Sequence, residues 1–224
     1  MIVGINNNNY RAFRKAYPKG GFNGAHYYAD EIERNIIPLV KTNRNWDCLG
    51  MRMTNHPDHC IMFIHHNLNF KQTYFWLKRY KDVILVVSSW ATYAAAQDVG
   101  YKVIYLPLSI DVDYVKQFKT KKTKDACYAG NRWKFKHPDL AKYVPKGTDY
   151  PPIDMKREDL LKFIAPYKTC YAIGRCALEA KALGCKIKVC DSRYPDPKYW
   201  KLLDNKDAAK LLQKELDKVD GIYN

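Results

Sequence analysis

The chain has 224 residues, a formal net charge of +15 from 38 Lys and Arg against 23 Asp and Glu, and an apolar share of 47 %. That composition excludes a disordered chain, and the length suits one ordinary domain or two small ones. No apolar run reaches the roughly 20 residues needed to cross a bilayer, and the first residues lack the pattern of a signal peptide. The expectation is therefore a soluble cytoplasmic protein, in the host cytoplasm if the source is a virus.

The positive excess is not confined to a tail. Residues 1–110 hold thirteen basic and seven acidic side chains, and residues 111–224 hold twenty-five and sixteen. A field of this sign attracts nucleic acid, anionic membranes or phosphorylated ligands. The plainer reading is a lysine-biased surface that serves solubility. The seven cysteines fall mostly inside apolar segments with no zinc-knuckle spacing, so they read as buried thiols of a reducing compartment. "NHPDH", with His56 and His59, reads as a polar loop rather than a metal set, and no metal is expected.

In chain order, "MIVGI" (1–5) predicts a buried strand, followed by an asparagine turn and the basic, aromatic stretch "YRAFRKAYPKGG" (10–21). "AHYYADEIERNIIPLV" (25–40) has helical period. "CIMFIHH" (60–66) predicts a strand, "NFKQTYFWLKRY" (69–80) an amphipathic helix, and "DVILVVSS" (82–89) a further strand. "WATYAAAQDVG" (90–100) predicts a helix stopped by Gly100, and "KVIYLPL" (102–108) the next strand. Alternation of this kind predicts an α/β fold with parallel sheets.

The polar, lysine-rich residues 111–124 read as a linker. Beyond them "ACYAG", "KTCYAI" and "CKIKVCD" predict strands, while "KREDLLKFIAPY", "GRCALEAKALG" and "NKDAAKLLQKELDKV" predict helices. The expected organisation is two small Rossmann-like lobes facing across a cleft, residues 1–112 and 113–205, with a C-terminal helix over 206–224 that packs back across them. Ligands of such folds sit beyond the C-terminal edges of the strands.

Several loops at those edges carry candidate chemistry, each beside a plainer reading. Gly20 and Gly21 precede a helix, where backbone N–H groups bind anions; many ordinary loops also hold two glycines. In "YAGNRWKFK", Arg132 suits two phosphate oxygens at once, with Lys134 and Lys136 close behind, or the loop is simply a solvated basic one. Glu179, read near the opening turn of its helix, is either a capping carboxylate or an acceptor for ribose hydroxyls. Arg175 and the N–H groups near Gly174 face phosphate or sugar oxygens in the second case. His65 and His66 end a strand, and one of them suits proton transfer or orientation while the other packs.

In this order the segments resemble the glycosyltransferases of the two-Rossmann-lobe (GT-B) fold, in particular the retaining group that uses nucleotide-sugar donors. "KGGFNGAHYYADEI" is similar to the family's double-glycine loop, which puts Gly20 and Gly21 beside the donor phosphates. "FIHHN" resembles its strand ending in a histidine near the transferred sugar, with His65 the match. "DVILVVSSWATYAAAQDVGYKVIYLPLSIDVDYV" is similar to its serine-bearing turn, helix and crossover into the second lobe. "CYAGNRWKFK" resembles the loop that holds the diphosphate, with Arg132 and Lys136 as the cations. The helix that begins at Gly174 resembles the family's helix with two glutamates eight positions apart. Glu179 matches the second, which holds the donor ribose. Tyr171 stands where the first would be, a departure that removes a negative charge.

The resemblance implies transfer of a sugar from a UDP- or GDP-sugar, the only cofactor-like ligand expected, to a hydroxyl acceptor with retention of configuration and no metal. His65, Arg132 and Lys136 would be catalytic, and Gly20, Gly21, Tyr171, Gly174 and Arg175 would bind the donor along with Glu179. The acceptor is open between double-stranded DNA with modified bases, as in enzymes that glucosylate viral DNA, and a glycan, lipid-linked or protein hydroxyl. Arg11, Arg14, Lys15 and Lys19 lie where such acceptors are met. A peripheral anionic membrane fits less well, since no lipid-insertion helix stands out. The alternative outside enzymology is a non-catalytic nucleic-acid-binding module on the same scaffold.

Overall fold

The computed structural model describes residues 28–29, 31–49, 58–64, 77–78, 81–130, 140–152, 155–191 and 201–221. Within them the chain is an α/β protein, broadly Rossmann-like, with two small parallel sheets. Contacts cluster it into two units, one of residues 1–107 with 205–224 and one of residues 108–204.

The first sheet has the strand order β1 (Asn45–Leu49), β2 (Cys60–Ile64), β3 (Val83–Val87) and β4 (Lys102–Tyr105), all parallel. "CIMFI" and "VILVV" are buried at every position, as strands covered on both faces must be. On one face Cys60, Met62, Ile64, Val83, Leu85 and Val87 cluster with Ala96 of α2 (Trp90–Asp98). The alternate residues Ile61, Phe63, Ile84, Val86 and Ile104 are buried on the other face. There α7 (Asn205–Val219) packs on β4 and on α1 (Ile32–Ile36), which tightens into a 3-10 turn over Ile37–Leu39. The buried stripe of α7, Ala208, Ala209, Leu212 and Leu216, has the period its sequence predicts.

β1 has no counterpart in the sequence reading. Its "NWDCL" mixes a buried tryptophan with a buried aspartate, and Asp47 Oδ1 accepts the Cys48 N–H at 2.8 Å. Gly100 caps α2 as expected: at φ 83° its N–H reaches Gln97 O, and the Tyr101 N–H reaches Ala96 O. This is the paired bonding of a Schellman motif.

The N-terminal edge of the first sheet is closed by charge. Arg44, His59 and Asp82 each directly precede a strand, and the register sets them side by side. Arg44, only 3 % exposed, donates to Asp82 Oδ2 at 3.1 Å and to Asp220 Oδ1, just past α7, at 2.7 Å. His59 Nδ1 meets the same Asp82 oxygen, while Nε2 lies 3.2 Å from Asn43 Oδ1. His59 and Asp82 hold φ values of 54° and 45°, left-handed conformations that cost energy outside glycine. Two further polar ties join α7 to this unit: Asn205 donates to Glu31 Oε2 at 2.6 Å, and Gln213 exchanges two hydrogen bonds with the Lys41 backbone.

The second sheet runs β5 (Lys124–Ala129), β6 (Tyr167–Ala172) and β7 (Lys186–Lys188), again parallel and in sequence order. Cys127, Ala129, Cys170 and Ala172 face the main core with Ala177, Leu178 and Ala180 of α6 (Gly174–Ala182). Leu161 and Ile164 of α5 (Arg157–Ile164) join the same core. Tyr128 and Tyr171 face the opposite side with Val144 and Cys190. A short helix, α4 (Leu140–Tyr143), lies beside that second cluster through Leu140 and Tyr143.

The expected linker is corrected here. Asp111 caps α3 (Val112–Lys116) by accepting the Tyr114 N–H, and Val112 and Val115 are buried in the core of the second unit. A capping aspartate and two inward valines were hidden by the lysines around them. All seven cysteines are free thiols, and Cys176 alone is partly exposed.

Two outcomes follow for the edge cluster. Arg44→Ala strips two carboxylates of their buried partner and is expected to lower the unfolding free energy by about 3 kcal/mol, read as a lower urea midpoint. The Asp82 carboxyl is held below the usual value near 3.8, first by its hydrogen bond with His59 and then by Arg44. A carboxyl depressed in the folded state adds stability that is complete above its unfolded value and is lost as pH falls toward the folded one. Asp82→Asn should therefore cost stability at neutral pH and progressively less below pH 3.8, in paired thermal melts across that range.

Candidate functional site

Three of the candidate residues, Gly174, Arg175 and Glu179, lie in the helix that follows the C-terminal end of β6. β6 ends at Ala172, Ile173 is extended at φ −133°, and Gly174 turns into α6 at φ 57°. Among the described residues no heavy atom lies within 4 Å of where a Gly174 Cβ would stand, so the glycine answers to its backbone angle and not to crowding. Ile173 offers no side-chain acceptor, so the first-turn N–H groups of α6 have no cap from that position. They form the positive end of a nine-residue helix.

Arg175 and Glu179 lie one turn apart on the buried face of α6, at 8 % and 3 % exposure. Arg175 Nε donates to Glu179 Oε1 at 3.0 Å. A second guanidinium reaches the same oxygen: Arg157 Nε, from the first position of α5, also at 3.0 Å. Glu179 therefore sits in the second turn, not the opening one, and its partners are guanidiniums rather than backbone N–H groups. A cation at the first helical position opposes the helix dipole, and Glu158 and Asp159 offset it in the same turn. The Arg157 guanidinium lies over the Tyr114 ring, 5.2 Å from its centre, and Tyr114 donates to Glu158 Oε1 at 3.2 Å. Burial, then Glu158, pushes the Tyr114 hydroxyl above its ordinary value.

Of the residues picked from the sequence, Gly174, Arg175 and Glu179 are brought together. Tyr171 is placed apart from them, in the cluster with Tyr128 and Cys190, with Lys188 Nζ 5.8 Å from its ring centre. Gly20, Gly21, His65, Arg132 and Lys136 lie outside the described residues. At Gly130, directly after β5, an added Cβ would fall 2.8 Å from the Tyr128 hydroxyl. That glycine is needed so that the buried tyrosine can turn its hydroxyl against the backbone.

Arg157 is the member that the sequence reading missed. "KRED" looks like a solvated charge run, and the cue was a basic residue at a helix start, where the dipole disfavours it. Two arginines share one carboxylate beside a helix N-terminus, and guanidinium is the group suited to an anion with several oxygens. Among the described residues, no group of three or more His, Cys, Asp or Glu is placed to hold a metal ion. Nor is any helix there long and apolar enough to cross a membrane. No family model, no curated protein and no solved structure matches this chain.

Glu179→Ala would leave the buried Arg175 and the half-buried Arg157 guanidiniums without the carboxylate they share. It is expected to destabilise the fold by about 3–5 kcal/mol, and Glu179→Gln, which keeps an acceptor, by clearly less. Equal melting temperatures for the two variants would show that the carboxylate does not hold the arginines.

Proposed function

We propose that this chain is a glycosyltransferase that moves a sugar from a nucleoside-diphosphate donor to a hydroxyl acceptor. The observation that supports it most is the convergence of Arg157 and Arg175 on Glu179 at the uncapped start of α6. In this reading the donor diphosphate lies against that helix end. Charge builds on the phosphate oxygens as the sugar–oxygen bond breaks, and guanidinium groups and N–H dipoles fixed in place stabilise it without reorganising. Glu179 acts as a positioning residue that holds both arginines, rather than as the ribose acceptor the resemblance implies. The resemblance gives Arg132 and Lys136 the part of further cations, Gly20 and Gly21 that of a close backbone approach, and His65 that of a hydrogen-bonding group. A UDP- or GDP-sugar is the donor.

The second reading is a nucleic-acid-binding module without catalysis. It draws on the net charge of +15 and on a tyrosine, Tyr171, turned into a core cluster where the resemblance would have a carboxylate.

Calorimetric titration with UDP, UDP-glucose and GDP-mannose separates the two. The enzyme reading expects binding that Arg175→Lys weakens roughly tenfold, or about 1.4 kcal/mol, because lysine keeps the charge and loses the fork. Mass spectrometry should then find hydrolysed or transferred sugar. A folded protein that binds none of the three, and binds duplex DNA in a salt-dependent way, is the module instead.

A further inference from the structure

Trp90 is the first residue of α2 and is 64 % exposed. Its ring is nonetheless fixed. It stacks on Tyr105, the last residue of β4, with centroids 4.0 Å apart and planes 19° from parallel. Tyr93, one turn along the helix, meets it edge-on at 5.3 Å. With one face on Tyr105 and most of its surface exposed, the indole presents its other face outward. The position is the C-terminal edge of the first sheet, since α2 begins directly after Ser88 and Ser89, which follow β3.

We infer that Trp90 is a platform for the flat face of a neutral pyranose ring. The π face of an indole carries negative charge density, and the axial C–H bonds of a pyranose carry the complementary positive charge. An indole already held by two tyrosines loses little freedom when a ring stacks on it. The rim suits hydroxyl groups. Ser88 and Ser89, half-buried, directly precede Trp90 in the chain, Ser89 makes no capping bond to its helix, and burial raises the pKa of the half-buried Tyr105 hydroxyl.

Local charge separates a sugar from the other flat ligand, a nucleobase. Residues 83–107 build this corner, and their only charged members are Asp98 and Lys102. Lys102 starts the strand that Tyr105 ends, about 10 Å away, and Asp98 closes the far end of α2. A nucleic-acid strand brings phosphates that need cations alongside the stacked base, and among the described residues, 83–107 supply none beside the ring. A neutral saccharide needs none. The inference rests on the glycosyl-transfer reading only in naming such a ring the acceptor; the platform itself does not.

Saturation-transfer NMR on the full chain with cellotriose, maltotriose and chitotriose tests it, with UDP titrated into the same samples. The expected result is transfer to ring protons of at least one trisaccharide, and a dissociation constant raised roughly tenfold (about 1.4 kcal/mol) by Trp90→Leu at unchanged melting temperature. Leucine keeps apolar bulk and helix propensity but has no π face, and Trp90→Phe should restore part of the binding. Silence from all three sugars, or equal binding by Trp90→Leu, overturns the platform. So does an oligothymidylate that binds in place of the sugars and is lost in Trp90→Leu. UDP binding is expected to survive Trp90→Leu. Sugar binding without UDP binding would sink the donor reading alone, and UDP binding without sugar binding the platform alone.

Discussion

Parallel strands cannot be joined by a tight turn, and every strand pairing in both sheets is parallel. Each return must cross a face of its sheet, so both faces become covered and the strands become continuous apolar runs. The same geometry sends all C-terminal ends of a sheet to one edge, where the loops collect. Neither described sheet reverses its strand order, so neither has, within those strands, the switch point that marks ligand crevices in doubly wound folds. What remains to mark an edge is chemistry, and the two ends of these sheets carry different chemistry.

At the N-terminal edge of the first sheet one guanidinium stands between two carboxylates, with Arg44 between Asp82 and Asp220. At the C-terminal edge of the second, one carboxylate stands between two guanidiniums, with Glu179 between Arg157 and Arg175. The first arrangement ties the end of α7 to the strands and balances a buried cation, which is a matter of stability. The second places cations at helix starts, against the dipole, where Glu158, Asp159 and Glu179 balance them. Guanidiniums at that edge are fixed by Glu179, whereas Arg44 is enclosed between two carboxylates of its own.

The sequence made the strongly apolar strands legible, because "CIMFI" and "VILVV" admit no other packed arrangement at that length. A helix stop was legible too: Gly100, the glycine after "QDV", adopts φ 83°, the left-handed angle such a stop requires. The failures share a cause. "NWDCL" and "DVDYVKQFK" each combine polar side chains with inward apolar ones, and composition averages the two. Asp47 bonds its neighbour's N–H and Asp111 caps a helix, so their polarity is consumed locally and says nothing about exposure. In the candidate site, the four-residue spacing of Arg175 and Glu179 was readable as an ion pair, but Arg157 comes from another helix, and only tertiary packing brings it to the same oxygen.

Net charge plays a different part from any of these residues. Many of the lysines are exposed, and those with a partner, such as Lys168 with Asp125 and Lys210 with Asp207, make solvated and weak ion pairs. Such charges raise the local concentration of any polyanion and fall silent at high salt, so they cannot choose between a diphosphate, a lipid headgroup and a nucleic acid. Choice requires groups that are fixed and partly desolvated. Arg157 and Arg175 meet that condition for an anion, each held at 3.0 Å by the same carboxylate oxygen. Trp90 meets it for an uncharged ring, held by Tyr105 and Tyr93 in a segment with almost no charge of its own.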